Sequence, residues 1–479
     1  MKSIVFLILL FFIFVGQSIA QSVGINDDAS APNPSALFDL KSNSKGLLIP
    51  RMSTSQRNAI ADPAAGLLVF DLDKSTIYLF DGQKWQAMLF TSSGNNNPPI
   101  GRSASDGAAS DKFGISVSIS GDYAIVGAHL VDGDAKTDQG AAYIFARQDG
   151  TWLEQAKLTA SDGRAGDNFG ISVGINGDYV VVGAPKAGGI WFLQGAAYIF
   201  MRTGTTWLQQ AKLTASDGVI GENFGTSVSI DGNYIIAGAP NARVQYANEG
   251  AAYVFVRTGT VWTQQSKLVV SYGEYNDHFG NSVSISGDHA ILGAPFRDAN
   301  IYVADVGAAY IFVRNGNTWT LQIDLYYSEG DAGDNFGASV CITDSYAMVG
   351  APNFDLPPFT DNGAVFVYGR TGLNWSLPKK LTAADAESAS YFGNSVSISG
   401  DNAVIGNYYD DVGSNPIQGS AYIYSRSGNT WALLRKVDDG SGMPAGLFGS
   451  AVGVSGYNYF ISAIGKNNSK GEVNFLNIE

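Results

Sequence analysis

The chain has 479 residues, of which 45% are hydrophobic, 12% aromatic and only 15% charged, too apolar for a disordered chain and too long for one ordinary domain. A formal net charge of −14 argues against nucleic acid as a partner, because phosphate binding needs a basic surface. One cysteine, Cys341, and three histidines, His129, His278 and His289, exclude an internal disulfide framework and a cysteine-based zinc site and leave little for histidine chemistry.

In chain order, residues 1–20 carry one basic residue, Lys2, then an apolar run over 4–15 and a small-residue end at Ser18-Ile19-Ala20. That is the pattern of a cleaved secretory signal peptide, and the run is too short for the roughly 20 residues that span a bilayer. An exported protein, secreted or on the outer cell surface and without a membrane span after cleavage, is expected. Residues 21–95 predict a small β-rich module with one helical stretch near 55–61. Its segments Leu37-Phe38-Asp39-Leu40, Gly46-Leu47-Leu48-Ile49-Pro50-Arg51 and Ile77-Tyr78-Leu79-Phe80-Asp81-Gly82 resemble the head segment of many secreted Bacteroidetes-type proteins, some of them fibre-like. A homo-oligomer through residues 21–95 is one expectation for it. Residues 92–97 read as a polar linker.

From residue 96 the chain repeats. Phe-Gly recurs at Phe113, Phe169, Phe224, Phe279, Phe336, Phe392 and Phe448, and fourteen residues later comes Gly-Ala, at Gly127, Gly183, Gly238, Gly293 and Gly350. Proline follows at Pro185, Pro240, Pro295 and Pro352, and tryptophans recur at Trp152, Trp207, Trp262, Trp319, Trp375 and Trp431. Within one unit, residues 169–175 alternate bulky and small side chains, the period of two of a strand. Asn176-Gly177-Asp178 is a hairpin turn, and residues 179–183, 196–202 and 207–215 read as three further strands. Four-stranded units at this period predict β-propeller blades. The seventh unit ends one strand short, and residues near 98–105 align with the end of a fourth strand. The expected fold is therefore all-β: a seven-bladed β-propeller of four-stranded blades over 96–479, closed by an N-terminal strand.

Phe-Gly followed by Gly-Ala-Pro at this period resembles the FG-GAP repeat proteins, whose propeller is like that of the integrin alpha-subunit head. The resemblance covers residues 98–478. It implies an extracellular interaction platform more often than an enzyme.

The turns between first and second strands are tight, whereas the loops between second and third strands (129–139, 185–194, 240–249, 295–306, 352–362, 408–418 and 464–470) differ between units. Variation on a shared scaffold marks a functional face. These loops carry Trp191, Phe192, Tyr246, Phe296, Tyr302, Phe354, Phe359, Tyr408 and Tyr409, candidates for anchoring a protein partner or stacking on a glycan. The calcium loop of the integrin relatives has no room in the two-residue turns. Asp132, Asp134 and Asp138 are the nearest substitute, a calcium candidate lacking the full oxygen set. The acids Asp162/Asp167, Asp217/Glu222 and Asp331/Asp334 predict turn chemistry. Gly170-Ile171-Ser172-Val173-Gly174 fits a hydrolase pattern, but Ser116, Ser172, Ser227, Ser282, Ser339 and Ser395 repeat it on a buried strand, which excludes a nucleophile elbow. Cys341 reads as a buried, inert thiol. The leading expectation is a non-enzymatic binding or adhesion protein. A structural surface or fibre component, or a carbohydrate-active enzyme, are the alternatives.

Overall fold

The structure, a computed structural model, describes residues 23–26, 38–42, 47–73, 76–87, 99–134, 136–188, 193–300, 302–327, 330–428 and 430–478. The leader expected at 1–20 and the linker expected at 92–97 lie outside these. The chain divides into two compact units, 1–94 and 95–479. Among the described residues no helix is long and apolar enough to cross a membrane.

In the first unit, Val23–Asn26 pairs in parallel with Phe38–Lys41. A second sheet orders Arg51–Met52, Leu68–Asp71, Thr76–Phe80 and Trp85–Ala87. The helix is shorter than expected, Thr54–Asn58, because Ser53 and Gln56 form a reciprocal capping box that starts it and nothing continues it past Ala59. Beneath it the buried Arg57 guanidinium donates to Asp71 at 2.9 Å and lies 3.6 Å over the Tyr78 ring. Thr54 Oγ1 also donates to the Asp71 carboxylate. A carboxylate with no exposure needs such partners.

The second unit is a propeller-like repeat of antiparallel sheets. One sheet runs Ser172–Asn176, Tyr179–Ala184, Ala196–Thr203 and Thr206–Leu213, joined in that order. Sheets starting at Ser116–Ser120, Ser227–Asp231, Ser282–Ser286, Ser339–Ile342 and Val396–Ser399 repeat this arrangement. In the sheet that starts at Ser339–Ile342 the last strand is split into Asn374–Trp375 and Lys379–Leu381. The final sheet orders Phe448–Ser455, Asn458–Ala463, Glu472–Asn477 and then Ile100–Arg102, with Phe475 opposite Ile100 and Val473 opposite Arg102. First strands of consecutive sheets are neighbours, and Phe448–Ser455 neighbours Ser116–Ser120.

The strand expected over 169–175 begins three residues later, at Ser172, whereas the first strand of the final sheet starts at Phe448 itself. Gly170 has a φ of 94°, which turns the chain, so Phe169 forms a parallel bridge to Gly140 of the preceding repeat before Ser172 enters the sheet. This explains the Phe-Gly and Gly-Ala signatures. The Phe169, Phe224, Phe279 and Phe336 rings are fully buried between sheets. A Cβ on Gly183 would lie 2.0 Å from the Gly225 carbonyl oxygen, and one on Gly238 would lie 1.9 Å from that of Gly280. Only glycine allows that approach. The repeated serine donates to the same carbonyl, Ser172 Oγ to Gly225 O at 2.9 Å and Ser227 Oγ to Gly280 O at 2.8 Å.

The core lies between sheets. Phe169, Val173, Tyr198 and Trp207 pack against Ile125, Ile144 and Leu158 of the preceding sheet. Tryptophans also tie sheets together: Trp207, Trp262, Trp319 and Trp375 donate to Gln155, Gln210, Gln265 and Gln322 at 3.0 to 3.1 Å. The first strands line a central cavity of about 190 Å³. Cys341 lines it, which is why the thiol expected to be buried is half-buried; desolvation still pushes it up to about 12, so the reactive thiolate is scarce.

Candidate binding face

The loops between second and third strands and those between fourth and first strands form one surface. Loop 166–169 donates backbone N–H groups to Thr137, Asp138 and Gln139. The same contact recurs as Gly221 to Leu193, Asn276 to Ala247, Gly333 to Ala304, Ala389 to Thr360 and Ala445 to Pro416. In every repeat the residue before Phe-Gly takes a positive φ: Lys112, Asn168, Asn223, His278, Asn335, Tyr391 and Leu447, between 54° and 61°. Asparagine tolerates that conformation best among non-glycine residues. The other identities mark where a repeat departs from its own pattern.

The expected aromatic residues separate on this surface. Tyr302 is 86% exposed, and Tyr246, Phe296, Phe359 and Tyr409 are also exposed. Phe354 is not a rim residue: it is 6% exposed and packs against Tyr327 and Phe366 with ring centroids 5.8 and 6.0 Å apart. The apolar ring is drawn into the space between sheets. Trp191 and Phe192 lie outside the described residues. Tyr408 and Tyr409 come together with Tyr391 at centroid distances of 4.4, 5.3 and 5.8 Å. Tyr391 was missed as a candidate because it sits just before Phe-Gly, outside the variable loops; the signal was that it stands where Asn168, Asn223 and Asn335 stand. Exposed Tyr272, Tyr275 and Tyr326 on the loops after fourth strands were also missed. Phe296 packs edge-on against His278 at 5.2 Å; burial holds His278 below the ordinary imidazole value.

The acids of this face divide by role. Asp167 and Asp334 accept backbone N–H groups from Arg164 and Asp331, three residues before them rather than two after. Asp162 instead accepts the Tyr198 hydroxyl at 2.9 Å and Lys212 at 2.6 Å, and Lys267 pairs with Asp217 at 2.7 Å. The same triad occurs as Tyr143, Asp106 and Lys157 and as Tyr422, Asp385 and Lys436. Burial pushes the Asp106 and Asp162 carboxyls up, but hydrogen bonds from lysine and tyrosine outweigh it and leave both below the usual range. These pairs latch one repeat to the next.

Asp132 and Asp138 are brought together and Asp134 is not part of their contact. Asp132 Oδ1 accepts the Asp138 N–H at 2.9 Å, and Asp134 is an exposed turn residue between Gly133 and Lys136. Among the described residues no three His, Cys, Asp or Glu side chains are grouped as a metal would need. The donors at Asp132, Asp134 and Asp138 do not fit the six to eight oxygens of a calcium site.

Residues 103–145, 152–200, 207–255, 262–312, 319–368 and 375–424 match the FG-GAP repeat family. The chain belongs to the FG-GAP repeat family. The phage tail like trimerisation region matches residues 24–98. No curated protein matches the chain. In this FG-GAP repeat protein the family signature residues lie between sheets, and the variable residues lie on the loop face.

Proposed function

We propose that this is an exported, non-enzymatic binding or adhesion protein that recognises an extracellular protein or glycan through its variable loop face. The supporting observation is that exposed aromatics, Tyr246, Phe296, Tyr302 and Tyr409, sit on loops that differ between repeats while the inter-sheet residues stay nearly constant. The proposed scaffold is a seven-bladed ring in which Ile100–Arg102 supplies the outer strand of the last blade. Residues 1–20 act as the leader and residues 21–95 hold copies of the chain together, so that several loop faces bind at once.

A glycan array and a cell-adhesion assay on residues 21–479 test the proposal. Binding that falls about tenfold or more when Tyr246, Phe296 and Tyr302 are replaced by alanine supports it. Binding untouched by the three changes removes the loop face from the function. The match to a trimerisation region favours a second reading, a fibre component in which the repeat unit is a spacer; absence of any binding by wild-type protein moves the weight there.

A further inference from the structure

Within this molecule, tyrosines next to a carboxylate or amide recurrently receive a cation from the chain itself. Arg202 lies 4.2 Å over Tyr123 and pairs with Asp178, and Arg314 lies 4.3 Å over Tyr234 and pairs with Asp288. Arg257 lies 4.3 Å over Tyr179 beside Asn233, and Arg426 lies 4.7 Å over Tyr346 beside Asp401. Lys157, Lys212 and Lys436 stand 5.2 to 5.5 Å from the Tyr143, Tyr198 and Tyr422 rings with Asp106, Asp162 and Asp385 as counter-charges. The face of the phenol ring and the carboxylate together make a cation site.

One such group on the loop face has no cation. Tyr391, Tyr408 and Tyr409 form a contiguous aromatic patch. The Tyr391 N–H donates to the Asp361 backbone oxygen at 3.1 Å, and the Asp361 charge acts on the Tyr391 phenol; on the two loops that carry the rings Glu387 accepts the Asp411 N–H, so the loop that carries Tyr408 and Tyr409 is tied to an acidic one. Among the described residues no Lys or Arg lies over these three rings, and none pairs with Asp361, Glu387 or Asp411. Burial raises the Tyr391 and Tyr408 phenols, and the Asp361 charge adds to the effect at Tyr391. The residue choices are specific to this repeat: Tyr391 replaces Asn168, Asn223 and Asn335, Tyr408 replaces Pro185 and Pro240, and Tyr409 replaces Asn241 and Asn353.

We infer that Tyr391, Tyr408 and Tyr409, with Asp361 beside Tyr391 and the acids Glu387 and Asp411 on the same two loops, form a docking site for a basic side chain, a guanidinium or ammonium group, of a protein partner. The inference rests on the loop face being a binding surface and names the chemistry that one part of it recognises. The complementarity is that of the internal Arg–Tyr–Asp groups, with the cation supplied by another molecule.

The test is fluorescence anisotropy of a fluorescein-labelled tetra-arginine peptide titrated with residues 21–479 at physiological salt, where long-range attraction to the acidic chain is screened. The informative variant is Tyr391→Asn with Tyr409→Asn. It installs the residues other repeats use at these backbone positions, so the fold is retained, and it leaves net charge unchanged. Saturable binding by wild type, weakened about tenfold in this variant and kept in Tyr457→Ala, an exposed tyrosine in the turn between Phe448–Ser455 and Asn458–Ala463 and off the loop face, supports the site. Glu387→Gln gives a second reading, with weaker binding expected. Equal affinity in wild type and the double tyrosine variant overturns the inference, since binding then reflects net charge alone. Absence of peptide binding also overturns it. If a glycan is still bound on the array while the peptide is not, the loop face stands as a binding surface and the basic-partner inference alone fails.

Discussion

At the scale of single residues, the repeat signature reports close approach between sheets. Gly238→Ala places a methyl against the Gly280 carbonyl oxygen and is expected to cost roughly 3 kcal/mol or more, since backbone on both sides must shift. Gly204→Ala, in a turn with a φ of 64° and no atom within 4 Å of the added Cβ, should cost only about 1–2 kcal/mol for the left-handed backbone. Chemical denaturation of both variants measures the difference. His129 gives a pH-dependent expectation. Desolvation, with Lys186 and Lys112 nearby, lowers it to about 4. The unfolded chain, titrating near 6.5, therefore binds more protons between these values. Stability should be complete above about pH 6.5 and fall as pH drops toward 4, by at most about 3 kcal/mol from this group. His129→Asn should flatten that part of the stability profile; an unchanged profile would show that other groups control it.

At the scale of elements, the decisive piece is the short strand Ile100–Arg102. It covers the edge of Glu472–Asn477, and an uncovered strand edge is a template for pairing with other chains. A chain beginning at residue 103 is expected to melt at lower temperature and to aggregate, and adding back a peptide of residues 96–105 should partly restore it. Thermal unfolding with light scattering reads both outcomes. The loops behave differently from the strands. Positive φ values recur before every Phe-Gly, so the backbone at that one position is set by the scaffold and only the side chain varies. That is why Tyr391 can be exchanged for asparagine without asking the chain for a new conformation.

At the scale of the whole molecule, the first unit exposes Leu47, Leu48 and Leu72, apolar surface of the kind that other copies cover. With residues 24–98 matching a trimerisation region, residues 21–479 are expected to run as a trimer by size-exclusion chromatography with light scattering. Leu47→Asp with Leu48→Asp should yield monomer. A monomeric wild type would remove the multivalent part of the proposal. Three loop faces on one particle would raise avidity far above single-site affinity without any new contact.

The sequence alone determined the repeat, its four strands and the partner of residues 100–102, because each depends on local period or on alignment between copies. Phe-Gly, Gly-Ala and the tryptophans were legible as packing positions for the same reason: a geometry that recurs leaves a residue choice that recurs, seven times for Phe-Gly, six for the tryptophans and five for Gly-Ala. What the tertiary structure decided are the contacts between copies. The Gly-to-carbonyl approach, the Tyr–Asp–Lys latches, the burial of Phe354 and the opening of Cys341 onto the central cavity all join residues from different repeats or set a ring above or below a surface. Hydropathy is identical for an aromatic that folds inward and one that faces solvent, so Phe354 and Tyr302 read alike until their neighbours are placed. The Tyr391 patch shows the same limit. Its three rings come from two loops separated by a first and a second strand, and only the paired backbone between those loops brings them together.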